Sequence, residues 1–208
     1  MIKTSSRHNF TLNSKYETMV AQAQPLYRYC LDEADVIVSV DHWWLAFAQE
    51  NNVAGLNETS VVGQVLWEFI SDEPTQALYK EIHGHVRRSG NSITVPFRCD
   101  SPTLKRYMQL SISNRDAGQL LYESTLIRAV PQRRLAVLDP EQKRSNDFLT
   151  MCSFCKRSLI EPSGWLDMEN IALKLRLYEE QTVPELRYTV CPECADQVHK
   201  ERLHSHRT

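Results

Sequence analysis

The residues in this chain whose spacing most plainly serves chemistry are two cysteine doublets, Cys152-Ser153-Phe154-Cys155 and Cys191-Pro192-Glu193-Cys194. Two thiolates separated by two residues can turn inward on one short knuckle. Two such knuckles supply the four soft ligands that a tetrahedral Zn²⁺ prefers. A redox dithiol would belong after a strand and at the start of a helix in a βαβ pattern, and neither doublet sits there. Disulfides would need an oxidising compartment, and Met1 to Phe10 holds no apolar run of the kind a secretory leader carries. The doublets are therefore read as one metal site at Cys152, Cys155, Cys191 and Cys194, with zinc ahead of iron. The site is structural, because four cysteines close the coordination sphere and leave no position for water or substrate. The centre is net negative, and Lys156 and Arg157, directly after the first knuckle, are placed to offset it. The segment from Lys156 to Val190 is longer than in a compact zinc ribbon, which implies a helix between the knuckles. His199, His204 and His206 lie near the polar end of the chain, and with four cysteines on the metal they have no ligand role.

The elements that must position these sulfurs emerge from the rest of the chain. Its 208 residues suffice for one ordinary domain and a small one, and 42% hydrophobic with 24% charged residues is the composition of a soluble globular protein. No window approaches the apolar length needed to span a bilayer. A formal net charge of −2 offers no global attraction to nucleic acid. Residues 1–25 form an N-terminal extension in which Leu12, Tyr16, Met19 and Val20 would share one helical stripe, the alternative being a frayed tail.

Residues 26–130 carry an α+β pattern. Val36, Val38 and Val40 alternate as in a strand, and Val61 to Ile70 reads as short helical turns. Ser71 and Asp72 can cap a helix that tolerates Pro74 in its first turn, repeats Leu78, Ile82 and Val86, and stops before Gly90. Three strands follow, around Ile93 to Cys99, Tyr107 to Ile112 and Leu120 to Ile127. The period of two puts Phe97, Cys99, Met108, Leu110 and Ile112 on the helix-covered face. Pro96 implies an edge strand or a bulge. Residues 131–150, with Arg133, Arg134, Lys143 and Arg144 around Asp139-Pro140-Glu141, read as a charged, solvated linker, although Leu135, Val137 and Leu138 could dock on a sheet edge. Residues 151–208 form the four-cysteine domain with its polar tail. Within it Pro162 to Gly164 is a turn, Trp165 to Tyr178 is read as a helix despite the strand-like alternation of Leu173, Leu175 and Leu177, and Pro184 ends that helix.

This order of elements resembles a PAS domain over roughly Leu31 to Arg128. The carriers are Val36-Ile37-Val38-Ser39-Val40-Asp41 with Trp44 and Phe47, then Val62-Gly63-Gln64-Val65-Leu66-Trp67-Glu68-Phe69-Ile70, then the three-strand end. Val95-Pro96-Phe97-Arg98-Cys99-Asp100-Ser101-Pro102, followed by the doublets, is similar to a largely uncharacterised group of bacterial PAS proteins that end in a cysteine knuckle domain. The resemblance implies an antiparallel sheet with helices on one face, followed by a small zinc-ribbon-like domain. It also implies a sensor or dimerisation module with a cavity between sheet and helices, for which Trp67, His83, Phe97, Cys99, Met108 and Leu110 are the candidate lining. The Asn-Cys-Arg-Phe run of flavin photosensors is missing. Haem-binding PAS domains often use a histidine on the long helix, where His83 and His85 lie, but a histidine near a helix C-terminus is more often solvated, so haem and flavin are not expected. Cys99 is read as a small buried hydrophobe rather than a redox thiol.

Together these readings describe a cytoplasmic sensory or interaction protein with a structural zinc site. It would pass a ligand or redox signal to a separate signalling protein and could pair as a homodimer through the PAS-like part. The competing expectation is nucleic-acid binding through the knuckle domain, with Lys156, Arg157, Lys174, Arg176 and Arg187 on phosphates and Phe154 or Tyr188 stacking on bases. Glu161, Asp167, Glu169, Glu179, Glu180, Glu185 and Glu193 in the same domain oppose it. Catalysis is not expected: there is no open metal position, phosphate-cradling loop or nucleophile motif.

Overall fold

The computed structural model describes residues 27–50, 57–175, 177–178 and 182–204. The expected leading helix, Arg176 and His206 lie outside the described residues. Strands β1 (Tyr27–Leu31) and β2 (Ile37–Val40) form a hairpin whose turn is tied by Asp32, its carboxylate accepting from the N–H groups of Ala34 and Val36. Asp35 in that turn has φ 63°, a left-handed conformation that aspartate tolerates better than most side chains.

The chain then crosses one face through α1 (His42–Glu50), α2 (Glu58–Val61) and a 3₁₀ turn at Leu66–Phe69. Helix α3 (Glu73–Ser89) begins at Asp72, whose side chain accepts from the N–H of Thr75, and ends at Gly90 with φ 75°. Both ends match the capping residues read from the sequence. Strands β3 (Ile93–Arg98), β4 (Leu104–Asn114) and β5 (Leu120–Pro131) complete an antiparallel sheet of order β2-β1-β5-β4-β3. Pro96 lies on edge strand β3, where a missing N–H costs no ladder bond. Leu78, Ile82 and Val86 of α3 are buried against Ile93, Val95, Leu110, Ile112 and Tyr122 of the sheet.

Residues 131–150 are not a solvated tether. Strand β5 runs to Pro131, a 3₁₀ turn at Ala136–Leu138 follows, and β6 (Arg144–Cys152) has begun before the expected linker ends. Leu135 and Val137 are fully buried with Leu149, Met151, Met168, Ile171 and Val183. The charged residues dominated the sequence reading, yet the apolar ones between them decide the packing. Arg144 donates to the carbonyls of Val137, Asp139 and Pro184 and so staples the turn to the next sheet.

The second sheet has the order β8-β7-β6-β9. Strands β7 (Ser158–Ile160) and β8 (Gly164–Leu166) form a hairpin over the expected turn. The helix expected from Trp165 to Tyr178 is shorter: Trp165 belongs to β8, and α4 spans Met168–Lys174. Pro184 does not end it but lies within β9 (Val183–Thr189), an edge strand parallel to β6. Helix α5 (Pro192–His204) closes the described chain.

The core of the first sheet extends to the cysteine knuckles, while the rest of the second sheet packs in a cluster of its own. Cys152, Phe154, Cys191 and Val198 are buried in the same cluster as α3 and the first sheet. Phe154 stacks on Tyr79 of α3 with centroids 5.6 Å apart, and Glu81 of α3 pairs with Arg202 of α5. Among the described residues no helix is long and apolar enough to cross a membrane.

Candidate metal centre

Parallel pairing of β6 with β9 brings the two knuckles together. Cys152 is the last residue of β6 and stands opposite Thr189, two residues before Cys191. The first knuckle is closed by its own backbone: the N–H of Cys152 donates to the Arg157 carbonyl at 2.8 Å and the N–H of Lys156 to the Cys152 carbonyl at 3.1 Å. Ser153 then donates to the Thr189 carbonyl, which locks this turn to β9. The second knuckle is the start of α5. Pro192 is its first residue, a position where proline's missing N–H is harmless, and Cys194 falls in the first turn beside Cys191.

The four sulfurs lie within 4.8 Å of one another, with Cys155 and Cys191 at 3.7 Å. A tetrahedral ion with metal–sulfur bonds near 2.3 Å needs sulfurs about 3.8 Å apart, so the donor set fits a metal ion with four thiolate ligands. Cys152 and Cys191 are buried, while Cys155 and Cys194 are half-buried. Such crowded thiols resist ionising together without a cation. Contacts with the sulfurs of Cys152 and Cys194, then Arg157, hold the Cys155 thiol far below its ordinary range. Burial pushes Cys191 up to about 11, and contacts with Cys152 and Cys155 push Cys194 well up. A bound dication removes that conflict by stabilising every thiolate.

The two flanking cations divide their work. Arg157 donates from Nε to the Cys155 sulfur at 3.5 Å and pairs its outer nitrogens with Glu193, which joins the two knuckles. Lys156 turns away, donating to the Ser153 carbonyl at 2.8 Å with its ammonium 5.5 Å from the Tyr188 ring centroid. Phe154 is core, not an exposed stacking surface. Arg187 lies over the Phe148 ring, and Tyr188 is partly exposed.

No protein-family model matches the chain, and no curated protein matches it. Solved structures do align. A domain of an HTR-like protein from Haloarcula marismortui is 18% identical with a TM-score of 0.33, over 49% of this chain and 97% of that one. A sensory box sensor histidine kinase from Vibrio cholerae is 10% identical, TM-score 0.37, over 55% and 94%. The PAS domain of Bordetella pertussis BvgS is 13% identical, TM-score 0.34, over 55% and 83%.

The six residues expected to line a PAS-like cavity do not share one cluster, although Trp67, Phe97 and Leu110 join or pack on the main core. Met108 and Cys99 pack in a small cluster with Tyr27, Leu126 and Phe47, while Leu110 belongs to the main core and Phe97 touches both. A bulge in the β4–β5 pairing falls between Tyr107 and Met108, a feature that period-two reading does not register. Burial, more than the nearby Lys156 and Arg106 can offset, raises the Cys99 thiol. This suits the reading of a small hydrophobe.

His83 and His85 are buried rather than solvated, contrary to the helix-end expectation. Nδ1 of His83 lies 2.8 Å from the Asp35 carboxylate, Nε2 meets the Tyr122 hydroxyl, and Trp67 covers the ring at 5.2 Å. With both nitrogens engaged, His83 offers no free ligand to a haem iron. Burial alone would raise the Asp35 carboxyl, but the His83 hydrogen bond, reinforced by Arg87 at 2.7 Å, outweighs it and lowers the pKa. The tyrosines beside this pair, Tyr29, Tyr79 and Tyr122, were missed in the sequence. Tyr122 is one position of an alternating strand, Leu120 to Leu126, and nothing in that pattern distinguishes a core phenol from a core phenylalanine.

Proposed function

We propose that this chain is a PAS-type sensory or protein-interaction protein whose structural zinc site holds the C-terminal unit against the sensor sheet, passing a ligand or redox signal to a separate protein. One observation carries the reading: the buried core is continuous from α3 and the antiparallel sheet to Phe154 and the cysteines. A change in how α3 packs is therefore a change in how the knuckles are held. A four-thiolate site is closed to substrate, which supports a structural metal and speaks against catalysis there.

Elemental analysis with an absorption spectrum of the purified chain tests the metal. One equivalent of zinc and no visible band is expected. A Soret band or sulfur-to-iron absorption overturns the reading. Of the groups once assigned to nucleic acid, Phe154 is buried and Arg157 is engaged by Glu193, so no specific observation favours that alternative.

A further inference from the structure

A sheet edge presents unpaired backbone donors and acceptors, which a fold covers, shortens or leaves for a partner. Among the described residues three of the four edges are accounted for. Edge strand β2 is closed by the chain that follows it: the N–H of Ile37 donates to the Gln64 carbonyl at 2.9 Å and that of Gly63 to the Ile37 carbonyl at 2.8 Å. Edge strand β3 is tied to the first knuckle through Arg98 and flanked by α5. Edge strand β8 is three residues long. The fourth, β9, runs for seven residues and pairs with β6 alone.

The β6–β9 ladder fixes which residues of β9 face outward. In a parallel pair, alternate residues turn both backbone groups toward the neighbouring strand. The N–H of Val183 donates to the Lys143 carbonyl at 3.0 Å, and the Thr189 carbonyl accepts from the N–H of Ser153 at 2.7 Å. Val183, Glu185, Arg187 and Thr189 therefore face β6, and Pro184, Leu186 and Tyr188 turn their backbone groups away from it. The Pro184 carbonyl accepts from Arg144 at 3.1 Å and keeps a second lone pair. The N–H and C=O of Leu186 and Tyr188 have no partner among the described residues. The side chains of Glu185 and Arg187 are exposed and neither makes an ion pair among the described residues, the Arg187 guanidinium lying 3.3 Å from the Phe148 ring centroid.

Val183-Pro184-Glu185-Leu186-Arg187-Tyr188-Thr189 is complementary to itself when turned end for end about Leu186. We propose that β9 is the docking edge for a second copy of this chain, the two β9 strands pairing antiparallel about a two-fold axis at Leu186. Leu186 then exchanges its N–H and C=O with the Leu186 of the second copy, and the N–H of Tyr188 donates to the Pro184 carbonyl of that copy. On either side of the axis Glu185 falls opposite Arg187, at the non-hydrogen-bonded positions where facing side chains come closest. A proline and exposed charges guard an edge against an arbitrary strand. Against its own copy the same strand loses one bond at each end and gains opposite charges at both flanking rungs. The contact is isologous, so it closes at a dimer and joins the two second sheets into one. It uses the four-cysteine unit rather than the PAS-like part and does not depend on the sensory reading.

The test is sedimentation velocity of the full, metal-loaded chain at tens of micromolar, with zinc measured on the same samples. The wild type should sediment as a dimer. Glu185→Arg and Arg187→Glu each set like charges opposite one another at both rungs and should weaken the dimer about tenfold, and the two together should restore it, since the charges are again opposite. Amide exchange at Leu186 and Tyr188 should slow as the concentration of the wild type rises. A wild-type monomer, a dimer indifferent to either single substitution, or a double variant that stays as weak as the single ones overturns the proposal. A chain that follows the expected pattern without zinc leaves the interface standing and overturns the metal reading alone.

Discussion

The backbone N–H of Arg98 donates to the carbonyl of Phe154 at 2.7 Å, so the outer edge of the first sheet is tied to the first cysteine knuckle. An exposed edge strand is a template for unwanted pairing. Here the knuckle meets β3, the Arg98 guanidinium also donates to the Cys155 carbonyl at 3.3 Å, and Asp100 pairs with Arg98 from the same strand end. The four-cysteine knuckle thus reaches beyond its own loop.

Removing the metal is expected to loosen both halves. A structural zinc site contributes on the order of 10 kcal/mol to folding. Chelation, or Cys191→Ser, should release the ion and lower the thermal midpoint. Hydrogen exchange should rise in β3 and α3 as well as in residues 152–157; a rise confined to the knuckles would contradict the shared core.

Phe154→Ala tests that core without touching a ligand. Truncating a buried phenylalanine costs about 3–5 kcal/mol. The variant should unfold at markedly lower denaturant and still hold one equivalent of zinc when the metal is supplied in excess. Retained stability would mean that the Tyr79 stack does not couple the units.

Tyr122→Phe leaves Nε2 of His83 buried without its hydroxyl partner. The expected loss is about 1–3 kcal/mol, measured by denaturant titration. His83→Phe in the same background should then cost less than in the wild type, since the two groups form one network.

Asp35 sets an acid limit. Its folded pKa lies below the ordinary carboxyl value of about 4, so the unfolded chain binds its proton first as pH falls. The stability it contributes is present above about pH 4 and is lost as pH drops through the lower folded value. Asp35→Asn, which also tolerates the left-handed turn, should flatten the stability curve below about pH 4 in a urea series. An unchanged slope would show that Asp35 is not the group titrating.

The four-cysteine cluster was legible in the sequence because chelation is local chemistry: two doublets of the right residue type at this spacing have few other uses. The capped helix α3 was legible for a similar reason, since Asp72, Pro74, the apolar repeat and Gly90 each act within a turn or two of backbone. The cavity lining was not. Strand alternation reports which face a residue occupies but not which neighbours from other elements it meets there, and Met108 and Leu110, two residues apart on one face, joined different clusters. The solvated-linker reading gave way to the docking it had allowed for Leu135 and Val137, whose burial depends on β6 and β9 arriving from elsewhere in the chain.

The sequence by itself determined which atoms can hold a metal and where the long helix begins and ends, because those properties come from residue type and short spacing. Only the tertiary structure decided that the knuckles share a core with the first sheet, that His83 is held between Asp35 and Tyr122, and that Tyr29, Tyr79 and Tyr188 line one cleft. Each of these is a meeting of residues tens of positions apart, set by packing that no short window of sequence contains.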